Sequence, residues 1–418
     1  MPDSLLSVSA ALKQLMDRFQ PAATEEIPLS EAGGRVLARP VIADIDLPPF
    51  DNASMDGFAV RATETQTASA AMPVTLQVCV DIPAGQVVDT QVGPGQAARI
   101  MTGARLPDGV DSVAPVEITD FNERQAGVAA PETVQIYQPV QSGENVRPQG
   151  QDVRRGETVM LPQQLLRPQD LGFLSMMGFS KVIVHQKPRV AIFSTGDELL
   201  PVDQPLTPGK IHDSNSYTLT ALISGSGGVP VNLGIIPDKL DAVEDALDHA
   251  VASGVDLIIS SAGVSVGAFD FVRNVVEARG SLDFWRVNMR PGKPLAFGQY
   301  QGVPFIGLPG NPVSAFVTFE VFVRPVLSKM AGLSSNRRPE VQALLDESIG
   351  SDGRESYFRA ILHEDSGTFH ARLTGHQGSG NLRSLVQANA LIIIPSGVKT
   401  LPAGSPVKAW LLGDIYQR

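Results

Sequence analysis

Between Arg189 and Met330 the chain alternates short apolar runs with longer stretches of helical periodicity. Four apolar runs each predict a strand that ends in a polar or glycine-containing turn: PRVAIFSTGDEL, VNLGIIP, VDLIISSAG and VPFIGLP. NSYTLTALISGSGG is helical up to a glycine stop, and DKLDAVEDALDHAVASG is helical behind Asp238, the expected N-cap. Nearly continuous apolar strands separated by helices predict a parallel sheet covered by helices on both faces.

The flanking segments have different patterns. Residues 51–139 hold shorter β-like runs separated by proline and glycine, which predicts a mostly β domain inserted into a mixed element. Runs such as YFRAIL, TFHARL and VKAWLL near the end alternate with turns and predict a small β-barrel or sandwich. The expected fold class is multi-domain α/β plus β, with domains at 1–50 with 140–180, 51–139, 181–332 and 333–418.

Composition narrows the class of protein. The 418 residues exceed what one hydrophobic core organises, and the net charge of −11 without a long basic stripe argues against a nucleic-acid binder. Since no apolar run approaches the length of a membrane span and the N-terminus does not resemble a signal peptide, we expect a soluble, cytoplasmic protein. The single cysteine, Cys79, excludes an intramolecular disulfide and is expected to be a buried, inert thiol.

Candidate chemistry is concentrated in three loops after the predicted strands, where open α/β sheets bind their ligands. STGDE carries Asp197 and Glu198, which either hold a hydrated Mg²⁺ or cap the next helix. SSAGVSVGAFD offers free backbone N–H groups to an anion, or is only a tight connection. LPGNPVSA, with Asn311 as N-cap and Pro312 in the first turn, is either a well-made helix start or a second anion site.

Basic residues add one candidate anion site, and the histidines, the cysteine and the absent motifs exclude other kinds of site. Arg290 and Lys293 flank a Pro-Gly turn and suit an oxyanion, although a solvated basic turn has the same pattern. The six histidines show no metal-ligand spacing, and one cysteine excludes a thiolate zinc site. No nucleophile elbow or phosphate loop of the GKS or GKT type is present, so nucleophilic hydrolases and P-loop proteins drop out.

Taken together and in order, eight stretches resemble the molybdopterin molybdenumtransferases, the MoeA type of molybdenum insertase, whose relatives include the E domain of gephyrin. They are FDNASMDGFAV, RIMTGARLPDG, GENVRPQGQD, PRVAIFSTGDEL, DSN, SAGVSVGAFDFV, FWRVNMRPGKPLAFG and GLPGNPVSAFVTF. The resemblance implies a four-domain, elongated subunit that forms a homodimer, with a molybdopterin-binding α/β domain similar to the adenylyltransferases of the MogA type. It also implies insertion of molybdate into adenylylated molybdopterin with Mg²⁺-dependent release of AMP.

The resemblance also carries residue roles. It assigns the metal and the phosphoanhydride to Asp56, Thr102, Glu198, Asp238 and Asp270, with Asp56, Glu198 and Asp270 as metal ligands. The pterin and phosphate pocket is assigned to Thr195, Gly196, Asp197, Ser214, Asn215, Gly263, Ser265, Gly267 and Pro309. Molybdate or the pterin phosphate is assigned to Arg286, Arg290, Lys293 and Ser314, with Arg359 and Ser379 as further candidates. The MDGFA turn of one subunit is expected to face the α/β domain of the other.

The sequence departs from the family pattern at several positions, and Arg286 and Arg290 stand where some members have lysine. Ala262 stands where a glycine is usual, Ala268 replaces an acidic residue, and Lys239 replaces a second aspartate. These departures leave room for an altered metal dependence or for a paralogue that handles tungstate. Two further alternatives stay open: a pterin-binding scaffold or carrier without chemistry, and an adenylyltransferase that consumes ATP. An adenylyltransferase is also a candidate partner protein.

Overall fold

The computed structural model describes residues 5–121, 128–262, 271–333 and 338–413. The chain forms two compact units: residues 1–39, 163–171 and 181–418 make the larger one, and residues 40–162 and 172–180 the smaller one. The four domain boundaries expected from the sequence stay a prediction. Among the described residues, no helix has the length and apolar character that crossing a membrane requires.

The larger unit is built on a six-stranded mixed sheet. Its strands lie in the order Val229–Ile236, Arg189–Thr195, Leu257–Ser261, Val303–Leu308, Pro294–Tyr300 and Gly280–Arg286. The first four are parallel, as the sequence predicts, and the last two are antiparallel additions that it did not. Gly280–Arg286 carries Ser281 and Asp283 between its apolar positions and so lacks the continuous apolar character of the buried parallel strands. Pro294–Tyr300 is mostly apolar and buried, and only its direction in the sheet differs from that of its parallel neighbours.

Helices cover both faces of this sheet. Side chains alternate along a strand, so Val190 and Ile192 face one helical layer, while Ala191 and Phe193 face the other. The first layer contains Val8–Arg18, Asn215–Gly225, and a long helix that runs through Pro312–Thr318, a π-helical Phe319–Val323 and Arg324–Met330. The second layer contains Leu240–Ala252 and Phe271–Arg279. The predicted three-layer α/β domain is confirmed.

The C-terminal part of the larger unit is a closed barrel of five strands. They follow one another as Glu355–Asp365, Thr368–Leu373, Glu340–Leu345, Pro406–Leu411 and Ala390–Ile394, and the last pairs with the first. The predicted small β-barrel is therefore confirmed. Three short elements accompany the barrel: the helix Leu382–Gln387, the strand pair Ile349–Gly350 with Thr400–Leu401, and the strand Met289–Arg290, which pairs with the first barrel strand.

The remaining strands of the larger unit are short. Thr24–Pro28 pairs antiparallel with Lys181–His185, and Leu199–Leu200 pairs parallel with Ile211–His212. The N-terminal helix has Ser7 as its N-cap, whose side chain accepts a hydrogen bond from the backbone N–H of Ala10 at 3.1 Å.

The smaller unit contains a five-stranded sheet between two apolar clusters. Its strands lie in the order Ser112–Pro115, Gly57–Val60, Gln96–Ile100, Val74–Ile82 and Thr133–Ile136. The smaller unit also contains two short antiparallel strand pairs, Asn52–Ala53 with Val146–Arg147 and Val41–Ile42 with Thr158–Met160. It contains the helix Ala62–Thr65 and the C-terminal part of the helix Pro168–Met176, whose first residues belong to the larger unit. The prediction of a mostly β domain here is confirmed.

Two local predictions are wrong. The helix after the second strand begins at Leu240 with Lys239 at its N-cap, so Asp238 is not the cap; its carboxylate belongs to a group of acidic residues described below. Cys79 is only half-buried, and its thiol donates to the carbonyl of Ala97 at 3.4 Å. The strand that carries Cys79 exposes alternate residues, which apolar character alone does not reveal.

Candidate active site

The parallel strands of the α/β sheet deliver three polar loops to one edge. The strands end at Thr195, Ser261 and Leu308, and their parallel pairing places these carboxyl ends side by side. The backbone N–H of Ala262 donates to the carbonyl of Leu308 at 3.1 Å. A Cβ atom placed on Gly310 would lie 3.1 Å from the Cβ of Ala262, so these two loops are in close contact. Pro309 is buried at this contact, within the loop the sequence singled out.

Asn215 joins the loops together. Its side-chain amide donates to the hydroxyl of Ser261 at 2.6 Å and to the carbonyl of Gly310 at 2.7 Å. Asn215 is itself buried at the start of the helix Asn215–Gly225. Both donor positions of one amide are therefore used inside the protein. Ser214, at the N-cap, makes no side-chain capping bond.

Asp213 is the residue that sequence reasoning missed. Its carboxylate is buried and accepts hydrogen bonds from the backbone N–H groups of Asn215 at 3.0 Å and Ser216 at 3.2 Å. It also accepts from the hydroxyls of Ser216 at 2.5 Å and Ser194 at 3.2 Å. Asp213 therefore caps the helix that carries Asn215 and ties it to the first strand. An aspartate directly before a helical run is the sequence signal that identifies such a cap.

Three carboxylates gather on the same rim. Glu198 folds back over Gly196, whose φ of +148° is a backbone conformation that favours glycine, and a Cβ atom there would lie 2.7 Å from a Glu198 carboxylate oxygen. Asp197 accepts a hydrogen bond from the backbone N–H of Asp238 at 3.2 Å. Lys210 donates to the backbone carbonyl of Asp197, not to a carboxylate. Within the described part of the chain, none of the three carboxylates forms an ion pair.

The pKa of Asp238 reports this crowding. Partial burial raises the pKa above its ordinary value, and the nearby carboxylates of Asp197 and Glu198 raise it further. An uncompensated acidic group of this composition suits a hard divalent cation such as Mg²⁺, which takes carboxylate oxygens together with phosphate oxygens. The hydroxyl of Thr195, at the end of the first strand, is buried and has no hydrogen-bond partner among the described residues.

A cationic group lies in the same unit, where the turn after the strand Gly280–Arg286 meets the barrel. Arg359 is 1% exposed; its guanidinium donates to the hydroxyl of Ser384 and to the carbonyl of Gly378, both at 3.0 Å. Burial, and next the charge of Arg290, lower the pKa of Arg359 to about 10. Arg290 is more exposed; it lies 3.7 Å from a carboxylate oxygen of Asp352, and its guanidinium carbon is 5.9 Å from the centre of the Phe358 ring.

The long helix starts beside this cationic group. Pro312 occupies its first turn as expected, but Asn311 makes no side-chain capping bond. The backbone N–H of Val313 instead donates to the carbonyl of Ser379 at 3.1 Å, which joins the helix start to the loop that also contacts Arg359. Ser314 is buried one residue further on. Lys293 is exposed, and Arg286 is half-buried at the end of its strand.

In the smaller unit, Asp56 and Thr102 are hydrogen-bonded to each other. One carboxylate oxygen of Asp56 accepts from both the backbone N–H and the hydroxyl of Thr102, each at 2.7 Å. Gly57 follows because a Cβ atom at that position would lie 2.1 Å from the carbonyl oxygen of Ala114 on the paired strand. The MDG sequence therefore places the exposed carboxylate of Asp56 directly before a strand whose first position, Gly57, has room only for glycine.

Four sequence-predicted site residues lie outside the described residues: Gly263, Ser265, Gly267 and Asp270. Ala262, directly before them, has a φ of +76°, in the left-handed region that favours glycine. The described site residues of the larger unit form two groups, the acidic rim (Asp197, Glu198 and Asp238) and the cationic group (Arg290 and Arg359). The network of Asp213, Asn215 and Gly310 lies on the rim, and the helix start follows directly after Gly310.

Comparison with known proteins matches this architecture along the chain. Three family profiles match: the MoeA N-terminal region (domain I and II) at residues 6–178, a probable molybdopterin binding domain at 191–329, and the MoeA C-terminal region (domain IV) at 342–412. The molybdopterin molybdenumtransferase of Nostoc sp. is 40% identical over 92% of this chain and 88% of its own length. Molybdopterin molybdenumtransferase 2 of Mycobacterium tuberculosis is 40% identical over 92% of this chain and 94% of its own.

Comparison with solved structures also finds a MoeA protein. The molybdopterin biosynthesis MoeA protein of Pyrococcus horikoshii superposes with a TM-score of 0.80 at 32% identity, covering 98% of this chain and all of that one. Fold and relatives together define an enzyme of molybdenum cofactor biosynthesis. The chain belongs to the MoeA family.

Proposed function

We propose that this chain inserts molybdenum from molybdate into adenylylated molybdopterin and releases AMP in a Mg²⁺-dependent step. The observation that carries this proposal is the pair of guanidinium groups of Arg359 and Arg290, one buried and one at the surface. Two fork-shaped donors beside a helix start suit a tetrahedral oxyanion such as molybdate or a phosphate. Arg359 and Arg290 together are the oxyanion pole of the proposed site.

A second buried arginine, Arg324, differs from Arg359 in having a carboxylate partner, and this difference supports an anion-binding role for Arg359. Arg324 is 7% exposed and bonds the buried carboxylate of Glu320 through its Nε at 2.5 Å. Arg359 is buried more completely, yet none of the described carboxylates forms an ion pair with it. Since a buried charge without a counterion is costly, and the lowered pKa of Arg359 reflects that cost, an anionic substrate supplies the missing charge.

The acidic rim fits the proposed metal. Its carboxylates have no cationic partner among the described residues, and burial, followed by repulsion from Asp197 and Glu198, raises the pKa of Asp238. When bound, Mg²⁺ supplies charge neutralisation to a phosphoanhydride that is being broken. Glu198 and Asp238 would hold it, and the hydrogen bond from the backbone N–H of Asp238 keeps the carboxylate of Asp197 beside Asp238. Asp270 is a further ligand only by resemblance.

Asp56 and Thr102 would complete the site from a second subunit of a homodimer. The support is that the two hydrogen bonds from Thr102 hold the exposed carboxylate of Asp56 in one position before any ligand binds. An adenylyltransferase that makes adenylylated molybdopterin is the expected partner protein. A cytoplasmic location stays a prediction from the sequence.

The proposed reaction is tested directly by measuring the release of AMP. Purified full-length protein is mixed with adenylylated molybdopterin, Mg²⁺ and molybdate, and AMP and the molybdenum-loaded pterin are quantified by chromatography. We expect both products only when all components are present, and no consumption of ATP in a parallel reaction with ATP and molybdopterin. Failure to release AMP under these conditions would overturn the proposed reaction.

The oxyanion pole has its own test. Arg359→Met and Arg290→Gln should each weaken molybdate binding about tenfold to a hundredfold, since each removes hydrogen bonds to a charged group. Arg372→Met is the matched control, because Arg372 is exposed on the neighbouring barrel strand. Should Arg359→Met fail to fold, the surface variant Arg290→Gln still decides. Wild-type molybdate binding in both variants would exclude this pole from the site.

A further inference from the structure

The outer face of the C-terminal barrel brings two histidines together. His363 and His370 lie directly opposite each other on the antiparallel strands Glu355–Asp365 and Thr368–Leu373. Their neighbours Leu362 and Ala371 point into the barrel core, so alternation along the strands turns both imidazoles outward. The two rings are stacked, with centroids 5.6 Å apart and planes inclined by 28°.

Asp346 brings a carboxylate to the same place. It follows the barrel strand Glu340–Leu345, and its backbone N–H donates to the carbonyl of Ala371 at 3.0 Å. One carboxylate oxygen lies 3.2 Å from Nδ1 of His370, and the other lies 3.8 Å from Nδ1 of His363. One ligand atom from each of the three residues lies within 4.8 Å of the other two.

We propose that Asp346, His363 and His370 form a binding site for a divalent transition metal of the zinc class. Two imidazoles and one carboxylate are ligands that Zn²⁺ accepts, with solvent in the fourth position. Mg²⁺ prefers an all-oxygen environment, so this site and the acidic rim select different cations. The spacing of the histidines along the sequence does not reveal this site, because the ligands meet across a hairpin and not along a helix or loop.

The geometry needs only a small adjustment. Two atoms bound to one zinc ion at about 2.1 Å each can be at most about 4.2 Å apart. The three side chains must close by a fraction of an ångström, and rotation about their side-chain bonds allows this because all three reach solvent. The exposed fractions of His363, His370 and Asp346 are 47%, 28% and 30%.

Weak ion pairing does not account for the arrangement. An exposed carboxylate contributes little when it pairs with one histidine, and here a single carboxylate is shared between two stacked rings. A bound metal gives all three groups a common partner. It also connects the end of the strand Glu340–Leu345 to both strands of the hairpin, so zinc is expected to stabilise the folded chain by mass action.

The test uses Zn²⁺ alone, added to the full-length protein and followed by calorimetric titration and thermal unfolding. We expect the wild type to bind one zinc ion more than the double variant His363→Gln/His370→Gln and to gain a zinc-dependent rise in melting temperature that this variant lacks. Zinc bound at the acidic rim is common to both proteins and cancels in the difference. The variant replaces exposed side chains, so its fold is checked simply by circular dichroism.

Two further variants make the result specific. Asp346→Asn should weaken the same binding event at least about tenfold, since even outer-shell changes around a metal cost about 10–100-fold. His249→Gln, at an exposed histidine in the last turn of the helix Leu240–Ala252, should leave it unchanged. Equal zinc stoichiometry and equal melting shifts in the wild type and the double variant would overturn the proposal, whatever the outcome of the AMP assay.

Discussion

Asn215 holds Gly310 in place: its side-chain amide donates to the Gly310 carbonyl at 2.7 Å, across two loops of the sheet rim. Asn215→Asp replaces this donor with a carboxylate that faces the carbonyl and the Ser261 hydroxyl. We expect a loss of about 2–4 kcal/mol in the free energy of unfolding, because a buried polar group loses its partner and a charge takes its place. Urea unfolding followed by circular dichroism measures it.

Asn232→Asp is the matched control for that change. Asn232 is exposed on an edge strand, and its side-chain oxygen accepts from the backbone N–H of Gly234 at 2.8 Å. An aspartate keeps that acceptor, so stability should change by less than about 0.5 kcal/mol. If both variants unfold at the same urea concentration, the Asn215 amide does not fasten the rim.

The sequence predicts the regular parts of this molecule and misses pairings between distant residues. Continuous apolar strands and amphipathic helices are local signals, which is why the parallel sheet, the layers and the barrel could be anticipated. The strand Gly280–Arg286 was not predicted because polar positions interrupt it, and the antiparallel pairing of the mostly apolar strand Pro294–Tyr300 has no local signal. The role of Asp213 is only partly local, because it caps a helix next to it in the sequence but also binds Ser194 on a strand 19 residues earlier.

In the candidate site too, the features that local sequence patterns encode could be predicted, and the contacts between distant residues could not. The loops with Glu198 and Gly310 could be placed on one rim from strand order alone. The isolation of Arg359 from any described carboxylate depends on which residues the barrel brings near it, and no local pattern encodes that. His363 and His370 similarly meet only because a hairpin folds them onto each other.

Gly57→Ala should disrupt the smaller unit at the start of its interior strand Gly57–Val60. The added Cβ would lie 2.1 Å from the carbonyl oxygen of Ala114 and 2.9 Å from the α-carbon of Pro115, so backbone must move. We expect a loss of about 3 kcal/mol, the upper end of what overpacking usually costs. Because Asp56 precedes this position, AMP release should fall as well. Differential scanning calorimetry and the AMP assay measure the two effects.

Gly172→Ala provides the comparison for Gly57. Gly172 lies in the helix Pro168–Met176, and no atom lies within 4 Å of the position its Cβ would take. Alanine there should raise the free energy of unfolding by about 0.5–1 kcal/mol, because glycine is a poor helix former. A loss of stability in this variant similar to that of Gly57→Ala would show that the close approach at Ala114 is not the cause.

Asp238→Asn should stabilise the protein at neutral pH in the absence of divalent metal. The pKa of Asp238 is raised in the folded state, mainly by burial, so the stability it contributes is present below its unfolded pKa and is lost as pH rises through the folded pKa. The variant should therefore exceed the wild type at pH 7 and approach it at pH 4. Urea unfolding at both pH values, repeated with Mg²⁺, measures this; Mg²⁺ should favour the wild type.

Asp170→Asn should show the opposite dependence on pH. The hydrogen bond from Arg167 lowers the pKa of Asp170, so its contribution is present above the unfolded pKa and is lost as pH falls through the folded pKa. This variant should be less stable than the wild type at pH 7, with a smaller difference in acid. The same sign for both variants would contradict the assigned pKa shifts.

Ala262→Gly should stabilise the protein slightly, which is unusual for a change to glycine. Ala262 has a φ of +76°, a left-handed conformation that costs an L-residue about 1–2 kcal/mol, whereas glycine adds about 0.5–1 kcal/mol of backbone entropy to be lost on folding. The net gain should be up to about 1 kcal/mol in urea unfolding. Ala191→Gly, in the adjoining strand where φ is ordinary, should instead lose stability. An equal loss in both variants would mean that the left-handed backbone at Ala262 carries no strain that a glycine relieves.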